Sequence, residues 1–369
     1  MSVSVLVAGG GTGGHLYPGV AIARELLARV PGSTVTFVGT AAGIESRVIP
    51  REGLTLDTIR SAGLKGKSPA ALLRGLLLLP LSAWDAWRVV TKRRPSVVIG
   101  VGGYSSGPVV ALAALRGVPT LLMEQNATAG LTNRLLARVV RAAAVTYEES
   151  LATFGAKAFV AGNPVRPEFF ASGDTAAAAE GRTRVLVFGG SQGAHAINVA
   201  MAGAAAELAA AAPGVHVTHQ TGERDLDMVR DAYAAAGLEA RVEPFLFEMH
   251  REMRVADLVV CRAGATTLAE LTAAGRAAIL IPLPTATDDH QRRNGEALAR
   301  QGAARVVEQR DLTPARLAEE IVALAGDTGE RARMSAAARR LARPDAARVI
   351  VDRVLALAGY DGRTANRAW

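Results

Sequence analysis

The sequence has little cysteine and few aromatic residues. Cys261 is the one cysteine among 369 residues, so no intramolecular disulfide can form, and we expect a buried thiol in a reducing compartment. Aromatic residues make up only 4% of the chain, and we find no nucleic-acid-binding motif. The sequence therefore argues against a nucleic-acid partner.

Long uninterrupted hydrophobic runs are also missing. Two charge-free stretches, 95–115 and 185–206, have the length to span a bilayer, but glycine clusters interrupt both. Each is more typical of a buried strand, a loop and a helix. The first residues lack a basic segment before their short apolar run, so no signal peptide is predicted. We expect a protein that is soluble or peripheral to a membrane.

Apolar residues are abundant, at 50% of the chain, and the length fits two domains. Short apolar segments alternate with helical patterns, which is typical of α/β domains whose parallel sheets are covered on both faces. The sequence VLVAGGGTGGH at 5–15 has a counterpart, VLVFGGSQGAH, at 185–195. Strands are predicted at 3–8, 34–38, 97–100, 119–122, 142–146, 184–188, 215–219, 242–245, 258–260, 278–281 and 304–307, and helices at 19–29, 194–212 and 288–301.

The excess positive charge lies in the first half of the chain. Residues 1–162 contain 17 Lys and Arg against 8 Asp and Glu, whereas residues 163–369 contain 25 against 26. A basic half is expected to meet an anionic partner, and we favour a membrane surface.

Three glycine-rich loops are present, at 9–14, 100–107 and 189–193. Glycine lets backbone approach a ligand closely, and a helix that begins after such a loop offers N–H groups to phosphate. A dinucleotide site is disfavoured because no acidic residue follows the second strand. A P-loop nucleoside triphosphatase is disfavoured because none of the three loops is followed by its Lys-Ser/Thr pair. We predict sites for two phosphorylated ligands at the carboxyl ends of the strands.

Seven motifs in order closely resemble the MurG family of bacterial N-acetylglucosaminyltransferases, over roughly residues 3–358. They are GGTGGH at 10–15, GGYSSGP at 102–108, EQN at 124–126, GNPVR at 162–166, GGSQGA at 189–194, CRAGATTLAE at 261–270 and DHQRRN at 289–294. The resemblance implies a GT-B fold, in which two Rossmann-like domains with parallel sheets face an interdomain cleft.

The resemblance also implies the domain limits. It gives residues 1–163 to a membrane-associating domain that binds the lipid acceptor, and residues 164–344 to a domain that binds UDP-GlcNAc. A helix at 345–358 is expected to cross back onto the first domain, and 359–369 to form a flexible tail.

The implied reaction is inverting transfer of GlcNAc from UDP-GlcNAc to the C4 hydroxyl of the MurNAc of lipid I, which makes lipid II. The implied location is the cytoplasmic face of the cell membrane, at its anionic inner leaflet, with divisome or elongation proteins as further partners. No cofactor and no essential metal is implied, and no clustered His and Cys ligand set is visible. Another GT-B glycolipid transferase, a UDP-GlcNAc 2-epimerase and a non-catalytic nucleotide-sugar-binding protein remain as alternatives.

Two residues of the first domain are candidates for acid–base chemistry. His15 opens a helix, where the helix dipole disfavours its charged form, so it could take the proton of the acceptor hydroxyl. Its alternative is a histidine that only orients the loop or binds phosphate, and Glu124 is the second candidate. The family pattern adds Thr12, Gly13 and Gly14 beside the donor sugar and acceptor pyrophosphate, and Gly102, Gly103 and Tyr104 on the acceptor side.

The donor side is carried over from the same motifs. Asn126 could bind sugar hydroxyls, and Arg166 could neutralise the leaving diphosphate, although a turn residue and a hinge ion pair are their alternatives. Glu270 could accept both ribose hydroxyls, or could only favour its helix dipole. The remaining positions are Ser191, Gln192, Leu246, Ala265, Thr266, Thr267, Leu268, Ala269, Gln291 and Asn294.

A membrane contact is predicted within residues 64–95. Basic residues flank an apolar segment there, as suits an anionic leaflet, but a core helix with a solvated basic face is the alternative. The predicted patch comprises Lys65, Lys67, Arg74, Leu76, Leu77, Leu78, Leu79, Trp84 and Trp87.

Overall fold

The structure, a computed structural model, describes residues 2–61, 69–170, 182–190 and 193–360; the side chains of residues 69–76 and 287 are not described. Several predicted positions lie outside these limits. Lys65, Lys67, Ser191 and Gln192 are outside the described residues, as is the tail from residue 361. Arg74 and Leu76 lie in a described helix, but nothing can be said of their side chains.

The chain divides into two compact units. The first comprises residues Met1–Val165 and Arg343–Trp369, and the second comprises Arg166–Ala342. Each unit contains one parallel sheet with helices on both faces, so the predicted pair of parallel α/β domains is confirmed.

The first unit contains seven strands in the order β3-β2-β1-β4-β5-β6-β7. They are β1 (Ser4–Gly9), β2 (Thr34–Gly39), β3 (Thr55–Thr58), β4 (Val97–Gly102), β5 (Thr120–Glu124), β6 (Ala142–Val145) and β7 (Ala158–Val160). Its helices are α1 (Gly13–Arg29), α2 (Glu45–Arg51), α3 (Pro69–Arg93), α4 (Ser106–Leu115), α5 (Leu131–Leu136) and α6 (Leu151–Phe154), and α14 (Ala346–Leu357) from the end of the chain.

Side-chain alternation along β1 builds two core layers in this unit. Val5 and Val7 lie in one apolar layer, and Leu6 and Ala8 lie in the other, because successive side chains of a strand point to opposite faces. Helix α14 packs against α1 in the first layer, where Ile350 is fully buried. The second layer is covered by α3, α4 and α5.

The second unit contains six strands in the order β10-β9-β8-β11-β12-β13. They are β8 (Thr183–Phe188), β9 (Val215–Gln220), β10 (Ala240–Glu243), β11 (Leu258–Cys261), β12 (Ala277–Leu280) and β13 (Ala304–Val306). Its helices are α7 (His195–Ala211), α8 (Leu226–Ala236), α9 (Met249–Val255), α10 (Ala265–Ala274), α11 (His290–Arg300), α12 (Pro314–Gly326) and α13 (Thr328–Leu341).

The strands that the sequence pattern did not predict are β3 and β7, which form the two edges of the first sheet. Both are short, and neither has a fully buried residue. The sequence of β3, TLDT, lacks the continuous apolar run of a central parallel strand, whereas β7, AFV, is apolar but only three residues long. Helix α1 also begins earlier than predicted, at Gly13 instead of residue 19, because it starts within the glycine loop.

Helix α3 exposes apolar side chains on one side. Leu77 is 69% exposed and Trp84 is 55% exposed, while Ala86 and Val90 are buried on the other side. The rings of Trp84 and Trp87 stack with their centroids 5.1 Å apart. The described part of α3 is therefore amphipathic with a partly apolar outer face. Among the helices that the structure describes, none has both the length and the hydropathy for a bilayer crossing.

Candidate functional site

The first two glycine loops meet at the carboxyl edge of the first sheet, where β1 and β4 are neighbours. Gly10 N donates to the Gly102 carbonyl oxygen at 3.3 Å. A Cβ on Gly103, whose φ is +83°, would lie 2.4 Å from the Gly10 oxygen. The positive φ and the close approach of the Gly10 oxygen both require glycine at 103. This glycine lets the two loops pack against each other as one surface.

His15 is the third residue of α1 and is half-buried beside this surface. Its Nδ1 lies 3.3 Å from the hydroxyl of Thr12, the residue that precedes the helix. A Cβ on Gly102 would lie 2.8 Å from His15 Cδ2, so the glycine makes room for the ring. The imidazole is therefore held at the strand ends, where an acceptor proton could reach it. The structure brings Thr12, Gly102 and His15 together at this edge of the sheet.

Glu45, at the start of α2, fixes the first loop from behind. Its carboxylate accepts hydrogen bonds from Gly11 N at 2.8 Å, from Thr40 N at 2.7 Å and from the Thr40 hydroxyl at 3.0 Å. Burial alone would raise the pKa of Glu45, but these hydrogen bonds outweigh it and hold the pKa below its usual value. Sequence analysis missed this residue, because only the folded chain brings it to a loop 34 positions earlier.

Glu124 ends β5 and is almost fully buried. One carboxylate oxygen accepts from Asn126 N at 3.0 Å and Asn126 Nδ2 at 3.2 Å, and the other accepts from Gly130 N at 3.0 Å and Asn133 Nδ2 at 2.8 Å. A buried carboxylate with four donors shapes the turn that carries Asn126. This geometry disfavours the prediction of Glu124 as an acid–base residue, so His15 is the stronger candidate.

The third glycine loop follows β8 at the carboxyl edge of the second sheet. A Cβ on Gly193, whose φ is +72°, would lie 1.8 Å from the Thr221 carbonyl oxygen. This loop therefore packs directly on the end of β9, and α7 begins two residues later. The arrangement presents a helix N-terminus of the kind that binds phosphate.

Helix α10 begins at the same edge, after β11, which is a neighbour of β8. Ala265, Thr266, Thr267 and Ala269 are half-buried, whereas Leu268 is buried in the core and its N–H donates to Gly264 O at 2.9 Å. The Leu268 side chain therefore packs in the core at the start of this helix.

Glu270 and Arg166 are electrostatically coupled within the second unit. Burial raises the pKa of Glu270 to about 7, and the positive charge of Arg166 opposes this rise. The Arg166 guanidinium also lies over the Phe169 ring, 5.2 Å from its centroid. A half-buried carboxyl that titrates near neutrality beside an arginine is typical of a ligand site.

Helix α11 carries the last two predicted positions. Gln291 is half-buried, and its Oε1 accepts from Leu283 N at 3.0 Å. Asn294 is fully buried on the same helix, and its contact with the sugar stays a prediction. The residues before the helix, Asp288 and Asp289, have φ values of +54° and +56°, which is strained for side chains other than glycine.

Leu246 follows β10 and is buried, with its N–H donating to Gln220 Oε1 at 2.8 Å. Since the Leu246 N–H is already occupied by Gln220, the predicted uracil contact would use the Leu246 carbonyl oxygen. Gln220 itself is a residue that sequence analysis missed.

A polar network that includes the first turn of α7 was also not predicted. His195 Nδ1 lies 3.0 Å from both carboxylate oxygens of Asp225, and Asn198 Nδ2 donates to Asp225 at 2.8 Å. Asn198 continues to His219, and burial lowers the pKa of His219 to about 3, so this ring is neutral. No local motif indicates this network, whose members are up to 30 positions apart.

Metal-binding side chains are not clustered in the described part of the chain. Within residues 2–61, 69–170, 182–190 and 193–360, no three His, Cys, Asp or Glu side chains lie together so that they could hold a metal ion. Cys261 is fully buried, and burial, together with the charge of Glu270, raises the pKa of its thiol.

Comparisons with known proteins agree with this geometry. Residues 5–145 match the glycosyltransferase family 28 N-terminal domain, and residues 184–350 match the family 28 C-terminal domain. A protein of Anaeromyxobacter sp. (strain K), named UDP-N-acetylglucosamine–N-acetylmuramyl-(pentapeptide) pyrophosphoryl-undecaprenol N-acetylglucosamine transferase, is 48% identical over 94% of this chain and 91% of its own length. A Myxococcus xanthus (strain DK1622) protein with the same name is 46% identical over 95% of this chain and 92% of its own length. The crystal structure of Acinetobacter baumannii MurG superposes with a TM-score of 0.79 at 31% identity, covering 96% of this chain and 99% of that one.

The chain belongs to the MurG family of glycosyltransferases.

Membership of the MurG family confirms the resemblance drawn from the seven motifs. A UDP-GlcNAc 2-epimerase from Neisseria meningitidis bound to UDP-GlcNAc also superposes, with a TM-score of 0.68 over 96% of this chain and all of that one, but at 14% identity. That likeness concerns the fold alone.

Proposed function

We propose that this MurG-family chain transfers GlcNAc from UDP-GlcNAc to the C4 hydroxyl of the MurNAc of lipid I, forming lipid II and UDP. The observation that carries the proposal is the agreement of relatives with this transferase name at 45–48% identity over at least 94% of the chain. The two glycine-lined strand edges, one in each unit, supply the phosphate-binding geometry that two diphosphate substrates need.

The donor is assigned to the second unit. The diphosphate lies at the loop before α7 and at the start of α10, and Arg166 neutralises its charge as UDP departs. Glu270 in its ionised form accepts the ribose hydroxyls. Gln291 binds hydroxyls of the sugar.

The acceptor is assigned to the first unit, where Thr12, Gly13 and Gly14 face its pyrophosphate. The C4 oxygen attacks the anomeric carbon of GlcNAc in line, the bond from that carbon to the UDP oxygen breaks, and His15 takes the hydroxyl proton. The bonding electrons leave with UDP, whose developing negative charge is met by N–H groups and Arg166. A single displacement inverts the anomeric configuration.

Neither unit is assigned a metal in this scheme. Arg166 and helix N-termini supply the positive charge that a divalent cation supplies in other transferases. Turnover that is unchanged by excess EDTA supports this part of the proposal, and turnover that is abolished by EDTA and restored by Mg²⁺ contradicts it.

The outer side of α3 is proposed to bind the cytoplasmic face of the bacterial membrane. Leu77, Leu79, Trp84 and Trp87 are exposed there, and the exposed Arg88 follows Trp87 in the chain. Apolar side chains enter the headgroup region, and basic side chains meet anionic lipid. Each basic side chain near the surface contributes about 1 kcal/mol to the free energy of membrane binding. Lipid I is an anionic lipid of the same leaflet, so this contact would bring the first unit to its acceptor.

The deciding experiment supplies radiolabelled UDP-GlcNAc and a lipid I analogue to the purified chain. The proposal expects label in a disaccharide lipid with a β-linkage. UDP-ManNAc formed without acceptor would identify an epimerase instead, and tight UDP-GlcNAc binding without either product would identify a binding protein.

A further inference from the structure

One buried amide side chain connects two loops of the second unit. Gln220 is the last residue of β9 and is only 2% exposed. Its Nε2 donates to the Gly190 carbonyl oxygen at 2.8 Å, and its Oε1 accepts from Leu246 N at 2.8 Å. Gly190 presents only an acceptor and Leu246 only a donor, so the orientation of the amide is fixed.

The sheet register explains why one side chain reaches both loops. Strand β9 lies between β8 and β10, and Phe188, Gln220 and Glu243 pair side by side across the three strands. The glycine loop follows Phe188, and the turn that contains Leu246 follows Glu243. Gln220 therefore stands at the carboxyl end of the middle strand, with a loop on each side.

The backbone after Gln220 connects the same two loops. The oxygen of Thr221 occupies the space that a Cβ on Gly193 would need, at 1.8 Å. On the other side, Gly222 N donates to Pro244 O at 3.1 Å. Close contacts on both sides of β9 thus set the spacing of the two loops. Of these contacts, those of the Gln220 amide come from a side chain, so a substitution can remove them.

The two loops have different chemistry. The glycine loop leads into α7 and suits a diphosphate. The turn after β10 exposes Phe245 and Phe247, whose rings lie 5.0 Å apart edge to face, and exposed aromatic faces can stack on a base.

We propose that Gln220 is a positioning residue that sets the glycine loop and the aromatic turn at the spacing of the diphosphate and base of one nucleotide. This inference rests on the proposed donor site. Gln220 touches neither part of the ligand. It acts by holding the Gly190 carbonyl and the Leu246 N–H, so that the two loops are already in place when the nucleotide arrives.

Two substitutions separate the two connections. Gln220→Met has a similar shape and removes both hydrogen bonds. Gln220→Glu, in its ionised form, keeps an acceptor for Leu246 N–H but loses the donor to Gly190. Gln125→Met, in the first unit, is the matched control, because Gln125 is also buried and its amide donates to Val101 O at 2.9 Å.

Affinities for UDP and for uridine are measured by titration on the intact chain. We expect Gln220→Met to weaken UDP binding at least about tenfold, or about 1.4 kcal/mol, and to weaken uridine binding as well. Gln220→Glu should weaken UDP binding similarly but leave uridine affinity within about threefold, and Gln125→Met should leave UDP affinity within about twofold. UDP affinity that Gln220→Met leaves within about twofold of wild type would overturn the proposal, as would equal loss of uridine binding in Gln220→Glu.

Amide exchange of Leu246, followed by NMR without ligand, provides an independent measurement. Its exchange should accelerate in Gln220→Met but not in Gln220→Glu, and unchanged exchange in both variants contradicts the coupling. Failure of wild-type protein to bind UDP would instead count against the proposed function, while the exchange data would still decide the role of Gln220.

Discussion

Removal of the Glu45 carboxylate is the most informative perturbation of the first glycine loop. Glu45→Ala leaves Gly11 N, Thr40 N and the Thr40 hydroxyl without their acceptor. Each unsatisfied buried donor costs about 1–3 kcal/mol, and water entering the vacated space recovers part of that sum. We expect a net loss of about 3 kcal/mol in the free energy of unfolding of the first unit.

The Glu45 side chain also fills the space beside three glycines, so a larger residue at any of them would clash with it. A Cβ on Gly10 would lie 2.5 Å from the Glu45 carboxylate, one on Gly39 would lie 2.3 Å from Glu45 Cγ, and one on Gly43 would lie 2.2 Å from the carboxylate. Glu45→Gln keeps the shape but turns an NH₂ group towards N–H donors, so we expect it to destabilise almost as much as Glu45→Ala.

Differential scanning calorimetry measures this effect. A loss of about 3 kcal/mol lowers the melting temperature of a unit of this size by about 6–12 °C. Glu52→Gln is the control, because Glu52 forms an ion pair with the largely exposed Arg24, and such a pair contributes at most about 1 kcal/mol.

The stabilisation by Glu45 should depend on pH, which gives a second test of its role. The folded pKa of Glu45 is lowered, so its stabilisation is fully present above the unfolded value, near 4.5, and is lost as the pH falls through the folded value. The difference between wild type and Glu45→Gln should be large at pH 7 and shrink in acid. A melting temperature of Glu45→Ala within about 2 °C of wild type at pH 7 would refute the reasoning.

Four further predictions concern the proposed sites. His15→Ala should lower transfer at least about a hundredfold while UDP affinity stays unchanged, and near-normal turnover removes its role as base. UDP affinity, measured by calorimetry, should rise from pH 6 to pH 8 as Glu270, with its pKa of about 7, ionises; a Glu270→Gln variant that keeps the same pH profile contradicts this source. Trp84→Ala should reduce sedimentation with anionic vesicles more than Ala substitution of the likewise exposed Leu115 does, and equal effects argue against a membrane contact at α3. Gly193→Ala places a methyl group 1.8 Å from a carbonyl oxygen, so UDP titration should show at least about a tenfold loss; unchanged affinity contradicts the loop assignment.

The central strands could be predicted because parallel strands covered on both faces carry continuous apolar runs. Predicted segments at 258–260 and 278–281 became β11 (Leu258–Cys261) and β12 (Ala277–Leu280), each within one residue. The edge strand β3 (Thr55–Thr58) has no fully buried residue, so the same pattern could not identify it.

The candidate sites divide in the same way. Glycine loops are visible in the sequence because their backbone geometry requires glycine at particular positions. Glu45 and Gln220 are not, because each acts on a loop 26 to 34 positions away and only the folded chain brings the atoms together.

Nucleotide-dependent changes in backbone amide NMR signals test the central claim most directly. Titration with UDP-GlcNAc should shift amides at the carboxyl edge of the second sheet, around Gly190, Leu246 and Glu270, and leave the opposite ends of the same strands unchanged. Shifts confined to other surfaces, or none at saturating UDP-GlcNAc, would contradict the claim that these strand ends bind the sugar donor.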